Sequence, residues 1–250
     1  MNRASKEVVL ITGGSSGIGM GMAEAFHARG ATVIIAGRNR TALDAVAAKH
    51  PRMIVEEVDV SDAASVEALS SRVSIAHPNL NTLINNAGIQ QVLDFAGSTL
   101  PDSVSIGREI DTNLKGLIQV SAAFLPLLKR QPSARLVHIG SGLGYVPLAT
   151  APVYSATKAA VHSFTISIRR QLAGSSVQVI EIIPPVVVTS LHRGQARKPP
   201  NAMPLDVFIK AAMTGLDAGK DEIAVGLAKV LRIAHRIAPG LFLKIVNKAR

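Results

Sequence analysis

The stretch "LITGGSSGIG", residues 10–19, closes one apolar run and opens an amphipathic one. It sets Gly13, Gly17 and Gly19 directly after a predicted strand and at the mouth of a predicted helix. Glycines at such a junction let the backbone turn sharply and approach a pyrophosphate, which then rests on the helix N-terminus. An ordinary strand-to-helix turn also carries glycines, and the spacing T-G-x-x-x-G-x-G differs from G-x-G-x-x-G. What surrounds the loop decides between the two.

Outward from it, short apolar runs alternate with amphipathic stretches along the chain. Strands are expected near 7–11, 32–36, 53–58, 82–85, 135–140, 177–183 and 222–226. Helices are expected at 17–29, 41–49, 62–76, 110–130 and 153–173. This alternation specifies an α/β domain with a parallel sheet and right-handed crossovers. The strands read as near-continuous apolar runs, as strands buried on both faces do. No repeat or composition break marks a linker, so one domain over residues 1–250 is expected. The exception is "HRGQARKPPNAMP" (192–204), polar and basic with three prolines. Irregular excursions of that length are more often functional than accidental, which predicts a mobile substrate loop at about 190–204.

Composition removes several classes of function. Apolar residues at 48% and charged residues at 18% describe a globular chain. Aromatic residues make up only 3%, with no tryptophan, which argues against base-stacking nucleic-acid modules. No cysteine is present, so disulfides, thiolate zinc sites and thiol nucleophiles are excluded, and a cytoplasmic location is the expectation. "MNRASKEVVLITGG" runs straight into strand pattern and predicts no cleavable signal. Glu181 and Lys244 interrupt the two best apolar runs before membrane-spanning length. No His-Glu-x-x-His pattern or acidic cluster predicts a metal. His27, His50 and His77 read as solvated, His138 as packed, and His162 as a helix-packing or interface residue.

The second predicted strand runs into "IAGRNRTAL". A site for NAD places an acid here, on the ribose 2′-hydroxyl. Instead Gly37 is followed by Arg38, and no Asp or Glu lies between Glu24 and Asp44. An arginine at this point makes charge-assisted bonds to a 2′-phosphate, so NADP(H) is the expected cofactor.

With these motifs in place, the chain resembles the short-chain dehydrogenase/reductase family over nearly its whole length. The resemblance rests on "TGGSSGIG" (12–19), Asp59, "NNAG" (85–88), Asn113 in "DTNLKG", Ser141 in "IGSGLG", Tyr154 and Lys158 in "YSATK", and Thr189 in "PPVVVTS". The stretches "PNLNTLINNAGIQ" and "APVYSATKAAVHSF" look most like its DltE-like branch. The family implies one doubly wound, Rossmann-type domain with a seven-stranded parallel sheet and a nicotinamide cofactor. It implies a cofactor site built from Gly13, Ser15, Ser16, Gly17, Ile18, Gly19, Arg38, Asp59, Val60, Asn85, Ala87, Gly88, Tyr154, Lys158, Pro184, Val187 and Thr189. By the same resemblance, Asp59 and Val60 border the adenine, Asn85 closes the wall beside the ribose, and Thr189 reaches the nicotinamide amide or phosphates. Where the family usually has Pro-Gly, this chain has Pro184-Pro185. Proline lacks both the N–H and the φ freedom of glycine, so a different backbone beside the nicotinamide is expected.

Tyr154 and Lys158 stand four residues apart, on one face of a predicted helix. A free phenol has a pKa of about 10. A neighbouring ammonium and an oxidised nicotinamide both favour the phenolate, so a lowered pKa and a general acid/base role are expected for Tyr154. Ser141, at the end of a predicted strand, can hydrogen-bond the reacting oxygen. The family resemblance makes Asn113 the fourth catalytic residue, positioning a water, and lets Lys158 also hold the ribose. Singly, each has a plainer reading: Ser141 a turn residue, Asn113 a helix amide bonded to backbone, Lys158 a surface charge. Gln90, Gln91, Leu143, Tyr145, Leu148 and the 190–204 loop are the expected pocket borders.

The leading expectation is an NADPH-dependent reductase of a carbonyl compound, or the reverse alcohol oxidation. An acyl-thioester (3-oxoacyl-carrier) reductase and a catalytically idle NADP(H)-binding protein are the alternatives. The basic C-terminal segment 227–250 sets Lys229, Arg232 and Arg236 against Leu227, Val230, Leu231 and Ala234. Its apolar stripe is expected on the protein's own body or on a sister subunit of a homodimer or homotetramer, ahead of an anionic membrane surface.

Overall fold

The computed structural model describes residues 7–189, 191 and 202–248. Most of the expected 190–204 loop therefore lies outside the described residues. Seven parallel strands form one sheet in the order β3-β2-β1-β4-β5-β6-β7. They are β1 (Val8–Thr12), β2 (Thr32–Gly37), β3 (Ile54–Glu57), β4 (Thr82–Asn85), β5 (Ala134–Ile139), β6 (Val177–Ile183) and β7 (Glu222–Ala224). The order reverses between β1 and β4, and the carboxyl ends of strands beside such a switch point form the ligand crevice of open α/β sheets.

Alternate residues of the central strands feed two cores. Val9, Ile11, Val33 and Ile35 join one layer with Met22 and Phe26 of α1 (Gly17–Ala28), Leu43 of α2 (Arg40–Ala47) and Phe208 of α7 (Leu205–Asp217). Val8, Leu10 and Ile34 join the other with Leu69 of α3 (Ala63–Ala76), Phe124 of α5 (Gly116–Lys129) and Ile168 of α6 (Pro152–Gln171). At the sheet edge β3 is only half-buried, as an outermost strand should be.

Three departures from the sequence reading stand out. The stretch expected as a single helix over 110–130 is α4 (Ser103–Ile110), a π-helical turn (Asp111–Lys115) and α5. The residues 205–217, left unassigned by the pattern, form α7, whose Ile209 packs where a Cβ on Gly21 would stand. In the C-terminal segment, α8 (Leu227–Ile237) buries Ala228, Leu231 and Ala234 but leaves Leu227 59% and Val230 47% exposed. The apolar face is wider than the body can cover, so the expected pairing of faces holds only in part. α9 (Pro239–Asn247) buries no residue fully. Among the described residues, no helix is long and apolar enough to cross a membrane.

Candidate active site

The glycine loop begins where β1 ends. Gly13 (φ +67°) and Gly17 (φ +54°) occupy the left-handed region that a side chain disfavours. A Cβ on Gly13 would lie 2.9 Å from the Ala87 Cα, and one on Gly17 3.2 Å from the Thr189 Cβ. The loop is thus pressed between the end of β4 and the segment after β6. Asn86 fastens it, donating to the carbonyls of Thr12 (3.0 Å) and Gly13 (3.1 Å), while the Thr12 hydroxyl accepts from the N–H groups of Asn86 and Ala87. The sequence reading gave Asn86 no role of its own. Its signal was the doubled asparagine of "NNAG". Replacing Asn86 with Ala strips two bonds from a part-buried loop and should cost about 1–3 kcal/mol of stability. Chemical denaturation would measure this, together with a parallel loss of nicotinamide-nucleotide affinity.

The remaining residues expected at a cofactor gather at the same end of the sheet. Val60, Asn85 and Ala87 line one small void with Thr12 and Thr112. Asn85 donates to the Ser121 hydroxyl (2.9 Å), and its buried Oδ1 has no partner, so an acceptor there awaits a donor. Arg38 follows β2 with its side chain 54% exposed and 4.0 Å from the Asp59 carboxylate. Burial works against the Asp59 charge, but its bonds from Ser61 and the Arg38 guanidinium hold its pKa below the usual value. Ser15, Ser16 and Ile18 lie on the loop and the first turn of α1. A Cβ on Gly88 would lie 3.2 Å from the Asn113 Oδ1. Pro184 accepts at its carbonyl from the Gly142 N–H, and Val187 bridges to Met203. A left-handed loop with no room for side chains, a cation at the end of β2 and an orphan acceptor on β4 together fit a dinucleotide.

Ser141, Tyr154, Lys158 and Asn113 converge beside this cradle, all buried. Ser141 follows β5 and accepts from the Leu143 N–H at 3.1 Å. Tyr154 lies in the first turn of α6, which Pro152 opens. One turn on, Lys158 donates to the Ile139 carbonyl at 2.8 Å, with its Nζ 5.6 Å from the centre of the Tyr154 ring. Asn113 sits in the π-helical turn. Its amide hydrogens go to the Ile89 carbonyl (2.8 Å) and the Thr157 hydroxyl (3.2 Å), and its oxygen accepts from the Ile89 N–H. These bonds tie the 89 segment to α6.

The electrostatics correct one expectation. Burial raises the Tyr154 phenol to about 12; the Ser141 hydroxyl beside it pulls down and the Glu109 carboxylate pushes up. A lowered value was expected from the ammonium and an oxidised nicotinamide; in the chain alone, Lys158 is turned onto Ile139 and is itself held down, to about 8, by burial. The Tyr145 hydroxyl lies 3.1 Å from His162 Nδ1 and its ring lies against His162 and His235. One further expectation also changes. His50 is paired with Glu24 at 3.1 Å rather than solvated.

Glu109, Glu181 and Val246 are site neighbours that the sequence reading missed. Glu109 is a fully buried acid of α4; burial raises its pKa against the opposing bond from the Gln91 N–H. Val246 of α9 packs with Leu143 and Leu191 against the cluster of Leu148, Ala151 and Tyr154. Asn247 latches it, accepting from the Ala149 N–H (2.7 Å) and donating to the Pro147 carbonyl (3.1 Å). A cavity of about 650 Å³ lies beside this latch between Pro147, Leu148, Ala156 and Ala159 of α6, and Leu243. Neither Tyr154 nor Ser141 lines it, so it is not the catalytic pocket. Ending the chain after Ala238 removes the latch while sparing the buried residues of α8. Two lost bonds of about 0.5–1.5 kcal/mol each should lower stability by about 1–3 kcal/mol. Chemical denaturation of the truncated and full-length proteins checks this.

A family model described as short chain dehydrogenase matches residues 7–199. The chain is 40% identical over 237 residues to an uncharacterized oxidoreductase, DltE, of Bacillus subtilis, covering 94% of each. It is 31% identical over 199 residues to an uncharacterized oxidoreductase of Staphylococcus epidermidis, covering 78% of this chain and 84% of that one. Among solved structures, a short chain dehydrogenase of Burkholderia cenocepacia in complex with NADP superposes with a TM-score of 0.84 at 27% identity, covering 96% of this chain and 98% of that chain. One of Sphingobium yanoikuyae in complex with NADPH gives 0.81 at 29% identity, covering 94% and 95%. The protein belongs to the short-chain dehydrogenase family and is an oxidoreductase with its Rossmann-like, all-parallel sheet.

Proposed function

We propose that the chain is an NADP(H)-dependent oxidoreductase that reduces a carbonyl compound to the alcohol. The observation that carries this reading is the convergence of Ser141, Tyr154 and Lys158 beside a glycine cradle whose β2 exit bears Arg38. The NADP and NADPH complexes of the structural relatives support the same choice of cofactor. The loop from Gly13 to Gly19, with Thr189 over it, would hold the pyrophosphate, Arg38 the 2′-phosphate, and Asn85 and Lys158 the ribose on the nicotinamide side. When bound, the reduced nicotinamide supplies the hydride.

The chain's own residues handle the oxygen. Ser141 donates to the carbonyl oxygen as negative charge grows there. Tyr154 gives its proton to the same oxygen. A phenol pushed up to about 12 is fully protonated near neutrality, yet it is a far stronger acid than the alcohol it creates. This state favours reduction. Lys158 supports the developing phenolate with its ammonium, which is complete below, and lost above, a pKa of about 8. For reduction, kcat/KM should therefore fall as pH rises through about 8, the value for the free enzyme. A pH profile flat to pH 10 would contradict that role.

The test of function is NADPH consumption across a panel of aldehydes, ketones and 3-oxoacyl thioesters, with Tyr154→Phe as the dead control. The thioesters distinguish the carrier-linked reading. The exposed apolar residues of α8 and α9, such as Leu227, Ile233, Ile237 and Leu241, support a homo-oligomer as the assembly, which light scattering reads directly.

A further inference from the structure

Behind the catalytic lysine, the sheet buries an acid. Glu181 stands in the middle of β6, opposite His138 of β5, on the sheet face that α6 covers. Its flanking residues, Ile180, Ile182 and Ile183, are fully buried and apolar. A charge in such a strand is costly unless it is paired. One oxygen is paired: Oε2 lies 2.6 Å from His162 Nδ1, and the Tyr145 hydroxyl meets the same imidazole nitrogen at 3.1 Å. The other, Oε1, is buried without a hydrogen-bond partner.

The place of that free oxygen is set by Gly140. A Cβ on Gly140 would stand only 2.4 Å from Oε1, so the carboxylate fills the space a side chain would take. Gly140 is flanked by Ile139, whose carbonyl receives the Lys158 ammonium, and by Ser141. On α6, Lys158 and His162 are four residues apart and share a face. Glu181 therefore reaches the wall from which Lys158 hangs, held from the other side by His162.

We propose that Glu181 is a positioning residue for the reaction above: a fixed buried anion that keeps Lys158 in its ammonium form, with His162 holding the carboxylate in place. The inference rests on the reductase reading for its purpose but not for its measurement. Burial drives the Lys158 charge off, and Glu181 is the group that opposes it. Other charges and titratable groups face the cluster from the surrounding elements. On β5, His138 is held neutral by burial, with Arg169 and Lys158 adding to the effect. On β7, Glu222 is taken up by Arg169 (3.7 Å) and by Arg232 of α8. Arg236, also on α8, acts on Tyr145, and Glu109 of α4 acts on Tyr154. The bond to Glu181 raises the His162 pKa above its ordinary value, against the effect of burial. A protonated His162 offsets part of the carboxylate charge, so that charge acts most fully on the Lys158 ammonium once His162 is neutral.

The test reads the lysine itself, in cofactor-free protein. Lysine is labelled with 13C at the ε position and titrated by NMR, the Lys158 signal being assigned by its loss in Lys158→Met. Glu181→Gln keeps the side-chain shape and removes the charge. It should lower the Lys158 midpoint by roughly one pH unit or more, the size of effect an opposite charge has at close range. Glu181→Asp keeps the charge but withdraws it, and should give a smaller fall in the same direction. It carries the test alone should the Gln variant not fold. A midpoint unchanged in the variants that fold, whatever their melting temperatures, overturns the proposal. No substrate or nucleotide enters the measurement. Failure to find a reducible carbonyl would count against the reductase reading and leave the lysine result standing.

Discussion

Tyr154→Phe should lower the turnover of carbonyl reduction by about 10²–10⁴-fold, the range that a positioned proton donor supplies. The substitution removes one hydroxyl and keeps the ring that packs against Leu148, Ala151 and Val246, so the fold should be unaffected. What disappears is the proton delivered to the new alkoxide. Ser141 remains to stabilise charge, but its hydroxyl is a weaker acid than a phenol. NADPH affinity should change little, because the glycine loop, Arg38 and Lys158 are untouched. Turnover is followed by NADPH absorbance and affinity by nucleotide fluorescence. Undiminished turnover in the variant would remove Tyr154 from the mechanism.

Arg38→Asp should reverse the choice of nucleotide. In the wild type the guanidinium is half-exposed at the exit of β2, with the Asp59 carboxylate at 4.0 Å. Such a cation is available to a 2′-phosphate. Charge-assisted hydrogen bonds contribute on the order of 1.5–3 kcal/mol each, so their loss should weaken NADPH binding at least about tenfold. The new carboxylate adds repulsion of the phosphate and can accept from a ribose hydroxyl, so NADH should gain relative to NADPH. Paired titrations of both nucleotides on both proteins give the ratio. Wild-type protein that binds NADH as tightly as NADPH would contradict the role of Arg38.

The parts legible in sequence were those governed by local pattern. Near-continuous apolar runs such as "VVLIT" and "VQVIEII" announced buried parallel strands, and all seven formed at their expected positions within a residue or two. The glycine spacing, the Tyr154–Lys158 pair and Ser141 at a strand end were equally visible, and the fold brings them to one place. The helix expected at 110–130 failed because its backbone widens into a π-helical turn around Asn113, a change of hydrogen-bond register that no residue pattern announces. α7 was legible in principle, since Phe208, Ile209, Ala212, Met213 and Leu216 keep helical spacing. Glu181 broke an apolar run and was read only as an interruption; its meaning required His162 and Gly140, which are distant in sequence. Val246 and Asn247 reach the site from the far end of the chain, through contacts that periodicity cannot see. For the phenol, the sequence shows the charged neighbour but not the depth of burial, which in the chain alone raises its pKa.

The most direct measurement is transfer of the label from NADPH deuterated at the reactive C4 position to a panel of aldehydes, ketones and 3-oxoacyl thioesters, with products read by mass spectrometry. A carbonyl reductase should yield an alcohol one deuterium heavier, carried on the former carbonyl carbon, and the Tyr154→Phe protein should yield almost none. A protein that binds NADPH tightly yet passes deuterium to no member of the panel would contradict the account and mark the chain as a nucleotide-binding protein.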